Sequence, residues 1–278
     1  MSVETFKNDP KAFCDAALPF LAEAEAENNL LIGISARLAA SHPASSPESF
    51  LWTVREGSQV CGAGMWTPPH DLVLSHPLPN CALAMLCELL LQMDLPLPGV
   101  LGPDYAAREF ALQWTMARNL TADLWRRERI HRLRRVESLR WTPGRMIQAE
   151  PEHMAGLVPW VDDFLEEMSE KDEPAAILSA AITDGRLFVW WDARPVSMAA
   201  WTRRTPNGIC VNMVYTPPEQ RRRGYAAATV STLSDMLLGQ GNSFCALYTD
   251  LSNTTSNSIY QRIGYQPILD CYHYRFVR

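Results

Sequence analysis

The residues best suited to chemistry lie in the C-terminal half, where an alternating apolar strand runs into an arginine-rich turn and then directly into a helix. The turn, Arg221–Ala226, directs the first N–H groups of that helix, together with the positive end of its dipole, at one spot. Gly224 allows the backbone to approach a ligand closely, and the small Ala226 keeps the first turn of the helix open. Three consecutive arginines add positive charge. This pattern predicts a phosphate site; the alternative is a solvated basic turn.

A second group of candidate residues follows in the segment LYTDLSNTTSNSIYQRIGYQPI, which predicts a strand, an asparagine-containing loop and a short helix. Asn253 precedes Tyr260 by seven residues, and Asn257 lies about one helical turn before it. Gly264 then ends the helix as a C-cap. A tyrosine here could donate a proton, but it could also be an aromatic residue packed at the end of a helix.

Taken together, these two segments resemble the GNAT superfamily of N-acyltransferases. The turn fits the pattern [QR]-x-x-G-x-[GA] that binds pyrophosphate in that family, and the later helix fits its Tyr-x-x-x-Gly-[FY] ending. Neither the dinucleotide-binding pattern G-x-G-x-x-G nor the P-loop pattern G-x-x-x-x-G-K-[ST] is present. The resemblance covers Gly208–Arg278, with Glu150–Asn207 as its natural N-terminal continuation.

The resemblance implies an α/β (α+β) fold in which a mixed central sheet is flanked by helices. It also implies that acetyl-CoA, a co-substrate, enters a V-shaped gap between two parallel strands, here Ile209–Tyr215 and Ser243–Thr249. The implied cofactor-binding residues are Met213, Val214, Tyr215, Arg221, Arg222, Arg223, Gly224, Tyr225, Ala226, Asn253 and Asn257. The backbone N–H groups of Val214 and Tyr215 are expected to face the pantetheine and the thioester carbonyl.

By the same resemblance, a neutral amine attacks the thioester directly in a ternary complex, and Tyr260 protonates the departing thiolate. Proton transfer from a tyrosine to a thiolate is feasible, because the pKa of an ordinary tyrosine, ~10, is close to that of a thiol, ~8.5. The general base stays open. The predicted strand before the turn contains no acid, which leaves Asp250, Glu166, Glu167 or a chain of water molecules.

The predicted activity is therefore acetyl-CoA-dependent N-acetyltransfer to a primary amine of a small molecule or to a peptide amino group. Two alternatives remain. One is a non-catalytic acyl-CoA-binding sensor or scaffold, which the missing strand acid favours. The other is an acyltransferase that uses a longer acyl-CoA. The sequence does not identify the acceptor or the oligomeric state.

The elements around these motifs form an order that occurs twice: helix, helix, hairpin, helix, strand, helix, strand. This order predicts a tandem duplication, with a degenerate GNAT-like half over residues 1–143 and a catalytic domain over 144–278. The boundary lies near Trp141–Arg145, where Pro143 and Gly144 interrupt the pattern. The first half reads TPPHDLVLSHPLPN where the phosphate turn should be, so we expect no CoA site there.

Composition narrows the remaining possibilities. The chain has 278 residues, 47% of them hydrophobic, and a net charge of -6, which gives no general attraction to nucleic acid or to an anionic membrane surface. The histidines show no metal-ligand spacing, so we expect no metal site. The seven cysteines form no C-x-x-C pair, and no signal peptide or membrane-spanning segment is evident. We therefore expect a cytoplasmic protein with reduced thiols.

Overall fold

The computed structural model describes residues 1–41, 48–137, 142–169 and 172–278. Part of the predicted boundary near Trp141–Arg145 lies outside these residues, because Trp141 is not described. The described chain divides into two compact units that interleave along the sequence. The first unit comprises Met1–His131, Tyr248–Asn253 and Pro267–Arg278, and the second comprises Arg132–Leu247 and Thr254–Gln266. The predicted division at residue 143 concerns the two repeats rather than these two compact units, and it stays a prediction.

The N-terminal half of the chain contributes six strands and four helices in its described part. The strands are β1 (Ser2–Thr5), β2 (Phe50–Glu56), β3 (Gln59–Trp66), β4 (Leu72–Leu74), β5 (Gly99–Pro103) and β6 (Thr121–Leu133). The helices are α1 (Pro10–Leu21), α2 (Asn29–Ala40), α3 (Asn80–Gln92) and α4 (Asp104–Arg118).

The C-terminal half contributes the same number of each. Its strands are β7 (Arg145–Gln148), β8 (Leu187–Asp192), β9 (Arg194–Arg204), β10 (Gly208–Tyr215), β11 (Phe244–Asp250) and β12 (Gln266–Val277). Its helices are α5 (Met154–Glu167), α6 (Pro174–Thr183), α7 (Tyr225–Gly239) and α8 (Thr254–Ile263).

In the first unit the strand order is β1-β2-β3-β4-β5-β12-β6. Strands β1 to β4 form an antiparallel meander, and β4 then runs parallel to β5 with Leu72 opposite Val100 and Val73 opposite Leu101. The last strand of the chain, β12, completes this sheet by pairing antiparallel with β5 from Cys271 opposite Pro103 onward. The first unit is therefore built partly from the C-terminus of the chain.

In the second unit the strand order is β11-β10-β9-β8-β7. Strands β7 to β10 again form an antiparallel meander, and β10 runs parallel to β11. Helices α5 and α6 lie between the first two strands of this meander in sequence, as α1 and α2 do in the other half. The ten described strands and helices of each half thus follow the same order, which confirms the predicted tandem repeat.

Each unit has its own apolar core. In the first unit, Trp114, Phe110 and Leu86 are fully buried members of a cluster between the sheet and helices α3 and α4. In the second unit, Val230, Leu233 and other apolar residues of α7 pack against the sheet together with Ile263 of α8. The spacing of these α7 residues is the helical periodicity that predicted the helix.

The sequence missed three short strands, β1, β4 and β7, which contain three or four residues each. Alternation cannot be recognised over so few residues. The sequence predicts a final strand over Tyr272–Val277, whereas β12 already begins at Gln266. The residues between them carry a proline and mixed polarity, and neighbouring strands rather than local preference make them extended.

The burial of α4 yields a stability prediction with an internal control. Trp114 is 1% exposed and Met116, two residues later, is 76% exposed. We expect Trp114→Ala to lower the free energy of unfolding by about 3–5 kcal/mol. Because Met116 is exposed, Met116→Ala should change it by less than about 0.5 kcal/mol. Urea unfolding followed by circular dichroism measures both. Equal effects of the two substitutions would contradict the burial assigned to this helix.

Candidate acyl-CoA site

The turn between β10 and α7 presents free backbone donors. Gly224 occupies the N-cap of α7 at φ 88°, and no side chain caps the helix. The first helical bond runs from the Ala228 N–H to the Gly224 carbonyl at 2.9 Å, so the N–H groups of Tyr225, Ala226 and Ala227 have no acceptor within the helix. These three donors and the helix dipole can bind an anion.

Two residues of this turn adopt left-handed backbone conformations, Arg222 at φ 64° and Gly224 at φ 88°. A Cβ atom at Gly224 would lie 3.2 Å from the Thr142 hydroxyl oxygen, which is a tight contact. Glycine is therefore favoured here by its dihedral angle, and a larger residue would also require the Thr142 side chain to shift. The turn itself is exposed from Arg221 to Gly224.

The three arginines differ in their surroundings. Arg221 donates from Nε to the Thr216 carbonyl at 2.8 Å and from a terminal nitrogen to Glu167 of α5 at 2.6 Å. Arg223 interacts with the Tyr225 hydroxyl, whose pKa is raised chiefly by its hydrogen bond to Asp192. Arg222 is exposed and has no side-chain partner in the described part of the chain. Of the three arginines, Arg222 is therefore the one whose guanidinium is available to bind a ligand.

The strand before the turn separates from its parallel neighbour. The pairing of β10 with β11 runs from Gly208 opposite Phe244 to Cys210 opposite Ala246, although β10 continues to Tyr215. Beyond that point, β10 also contains a bulge against β9. Between the pairs Asn212–Ala200 and Tyr215–Met198, β10 advances by three residues and β9 by two.

The bulge is centred on Met213, whose φ of 50° lies in the left-handed region. Because a bulge interrupts the ladder and increases local twist, it turns the end of β10 away from a regular sheet. Met213 and Tyr215 are buried and Val214 is half-buried. The family resemblance implies a gap beside this strand, and β10 does separate from its regular pairing after Cys210.

Tyr260 lies at the end of α8, in the apolar core of the second unit. Its ring meets that of Tyr265 edge to face at 6.0 Å, and burial alone raises the pKa of its hydroxyl. No hydrogen-bond partner for this hydroxyl is found among the described residues. Tyr265 differs, because its hydroxyl is 2.8 Å from that of Ser234. Tyr260 thus keeps an uncommitted polar group in an apolar setting and stays protonated at neutral pH.

Among solved structures, several proteins resemble this chain over nearly its whole length. A GCN5-related N-acetyltransferase from Sphaerobacter thermophilus is 13% identical with a TM-score of 0.64, over 98% of this chain and 95% of the other. An acetyltransferase of the GNAT family from Colwellia psychrerythraea is 12% identical with a TM-score of 0.59, over 100% of both chains. A tandem GNAT protein from the clavulanic acid biosynthesis pathway is 13% identical with a TM-score of 0.53, over 99% and 98%.

The chain therefore has the GNAT fold. Residues 191–274 also match a family model described as FR47-like protein. That segment contains β10, the turn, α7 and α8. No curated protein shows significant sequence similarity to the chain.

The GNAT fold places most of the predicted site residues in the second unit, on β10, at the start of α7 and on α8. Asn257 is half-buried in the first turn of α8. Asn253 follows β11 in the segment that belongs to the first unit, and its N–H donates to the Asp250 carbonyl at 3.1 Å. The roles predicted for these residues, and for Tyr260, stay predictions.

Two of the three carboxylates considered as the base have structural partners. Glu167 holds Arg221, and Asp250 accepts hydrogen bonds from the Ser252 N–H and hydroxyl at 2.6 and 2.5 Å. Sequence reasoning did not single out Asp163, one turn before Glu167 on α5. Asp163 accepts a 2.7 Å hydrogen bond from the Tyr215 hydroxyl at the end of β10. Burial first, and then Asp163, raises the pKa of Tyr215.

The only signal for the Asp163–Tyr215 pair was the acidic face of α5. The two residues are 52 positions apart in sequence, so their spacing carries no information. The sequence predicts neither a metal site nor a membrane-spanning segment. In the described residues, no cluster of three or more potential ligands could hold a metal ion, and no helix is long and apolar enough to cross a bilayer.

The contrast between the two neighbouring tyrosines can be tested through stability. Tyr260→Phe removes a hydroxyl that has no hydrogen-bond partner among the described residues, so we expect the free energy of unfolding to stay nearly the same. Tyr265→Phe leaves the buried Ser234 hydroxyl without its partner and is expected to cost about 1–3 kcal/mol. Urea unfolding at neutral pH compares them. A loss of stability in Tyr260→Phe equal to that in Tyr265→Phe would show that Tyr260 has an unrecognised partner.

Proposed function

We propose that the C-terminal half binds acetyl-CoA and transfers the acetyl group to a primary amine. The observation that carries this proposal is the uncapped start of α7 behind Gly224, because three N–H donors converge there beside an exposed arginine. A pyrophosphate is the part of acetyl-CoA that such a turn would bind. The fold alone does not name a reaction, so the proposal depends on these residues.

The thioester end of the cofactor would lie along β10 beyond its last pair with β11. We infer that the N–H groups of Val214 and Tyr215 take the pantetheine and the thioester oxygen. The bulge at Met213 supports this, since it changes the direction of the backbone groups that follow it. An oxyanion at this place would be stabilised by donors already in position.

In the proposed reaction, the amine nitrogen attacks the thioester carbon and a C–N bond forms. The tetrahedral intermediate then collapses, the C–S bond breaks, and the sulfur leaves as the thiolate of CoA. The nitrogen loses its extra proton to water or to a carboxylate, and the thiolate gains one. The products are the N-acetylated amine and CoA in its thiol form.

Tyr260 is the proposed partner of the sulfur. The pKa of an ordinary tyrosine is already above that of a thiol, and burial raises the pKa of Tyr260 further, so complete transfer of the proton would be uphill in the resting protein. We therefore assign Tyr260 first as a hydrogen-bond donor that stabilises the leaving thiolate. The net proton of the thiol would then come through Tyr260 from solvent after the C–S bond has broken.

The acceptor would be a small-molecule amine or a peptide amino group. On α5, Asp163 lies against the end of β10, with the Trp160 ring 6.1 Å from that of Tyr215. An aromatic and acidic corner suits a cationic amine before it loses its proton. Since Asp163 already holds Tyr215, its role as a base would require that this hydrogen bond be exchanged.

A non-catalytic acyl-CoA sensor is the second candidate. The observation in its favour is that Glu167 and Asp250 both have structural partners, which leaves few carboxylates to act as a base. Acetyl-CoA binding without transfer to any amine in a broad panel would support this candidate. A longer acyl chain is the third, and the mass of the ligand that co-purifies with the protein distinguishes it.

The phosphate turn is tested by a glycine pair on one helix. We expect Gly224→Ala to raise the Kd for acetyl-CoA about tenfold or more, because a left-handed alanine costs about 1–2 kcal/mol and distorts the donors. Gly239→Ala is the control, since a Cβ there meets nothing within 4 Å. Isothermal titration calorimetry measures both. Unchanged binding in Gly224→Ala would remove the turn from the site.

The role of Tyr260 is tested by turnover. We expect Tyr260→Phe to lower kcat about 10²-fold while the KM for acetyl-CoA stays near the wild-type value, because the hydroxyl acts only as the sulfur leaves. Thiol release with a panel of amines gives the rates. Tyr265→Phe, assayed where it is folded, controls for loss of a neighbouring hydroxyl. Wild-type turnover in Tyr260→Phe would exclude the tyrosine from the mechanism.

A further inference from the structure

The first unit contains a cleft of its own on the face of the sheet that α1 and α2 cover. The enclosed part of the cleft has a volume of about 20 Å³, room for about one water-sized group, and it opens to solvent through a wider mouth. Its lining includes Glu27, Leu31, Val73, His76, Leu101 and Cys271. All the lining residues belong to the first unit.

The cleft lies where the parallel strands of this unit cease to pair. The pairs Leu72–Val100 and Val73–Leu101 are followed by Leu74 and Gly102, which line the cleft. Cys271 of β12 provides part of the wall beyond them. The first half thus keeps an opening after its parallel pair, even though its phosphate turn is absent.

One side of the cleft is fixed by the Asn28 side chain. Its amide nitrogen donates to the His76 carbonyl at 2.6 Å, and its amide oxygen accepts from the His76 N–H at 2.8 Å. A third bond joins the amide nitrogen to the Leu21 carbonyl at 3.1 Å. Asn28 is 2% exposed, so these bonds hold the junction of α1 and α2 firmly against the segment that follows β4.

Two polar groups at the cleft have no partner in the described part of the chain. The carboxylate of the half-buried Glu27 makes neither a hydrogen bond nor an ion pair there. The Nδ1 atom of His76 is buried and also has no partner. A carboxylate at the mouth of a cleft can pair with a bound cation, and a buried ring nitrogen needs a donor or an acceptor.

We propose that this cleft binds a small organic cation, a protonated primary amine with a short apolar chain. Its ammonium group would pair with Glu27, and its alkyl part would contact Leu31, Val73 and Leu101. The narrow space limits the ligand to a few non-hydrogen atoms. None of these residues belongs to the acyl-CoA turn or to β10, so the site is independent of the proposed acetyl transfer.

The test is calorimetric titration of the full chain with ethylammonium chloride, with ethanol and sodium acetate as neutral and anionic probes of similar size. We expect ethylammonium to bind and the other two probes to bind at least tenfold more weakly. Glu27→Gln should abolish the preference for the cation. Glu23→Gln is the matched control, because Glu23 is an exposed neighbour that does not line the cleft.

A second variant tests the position rather than the charge. Leu30→Trp places bulk at a half-buried lining residue and should remove ethylammonium binding while Glu27 is still present. Acetyl-CoA titration of each variant, expected to match wild type, shows that the protein is folded and separates this site from the acyl-CoA site. Absence of ethylammonium binding, or binding that survives both Glu27→Gln and Leu30→Trp, would overturn the proposal.

Discussion

The first N–H groups of a helix need hydrogen-bond acceptors from outside the helix. At the start of α7 no capping side chain supplies one, so these N–H groups face solvent. Gly224 ends the turn in a left-handed conformation and offers no side chain as a cap. Arg221, which could have covered the donors, is instead held by Glu167 and the Thr216 carbonyl. The fold therefore fixes the approach to α7 and leaves its positive end open to solvent.

In the first half, the segment between β4 and α3 corresponds to this turn, and it is closed by packed side chains. Leu78 is fully buried there, and a Cβ atom on Gly62 of β3 would come within 2.3 Å of it. The Leu78 N–H group donates to the Tyr105 hydroxyl at 2.9 Å, and the His76 N–H group donates to the Asn28 side-chain oxygen. The second half thus has an exposed basic turn and the first half a buried apolar one. Both halves have a parallel strand pair next to the turn, β10 with β11 and β4 with β5.

Local patterns made α7, the glycine turn before it and the tandem order predictable from sequence, because helical periodicity and a glycine at a turn act over a few residues. The side-chain pairs that shape the site were not predictable. Arg221 meets Glu167 across 54 residues, and Tyr215 meets Asp163 across 52. Arginine beside a glycine turn suggested a phosphate ligand, whereas the packing of α5 against β10 gave Arg221 a structural partner.

Tyr260 shows why burial, rather than residue type, decides what a catalytic candidate can do. A phenylalanine would satisfy the packing against Tyr265 equally well. A structural role accounts for the ring and leaves the hydroxyl unexplained. The same burial that raises its pKa keeps the hydroxyl protonated, and hence a donor, across the pH range in which an amine becomes nucleophilic. A thiolate formed beside it would supply the missing acceptor at the moment when the C–S bond breaks.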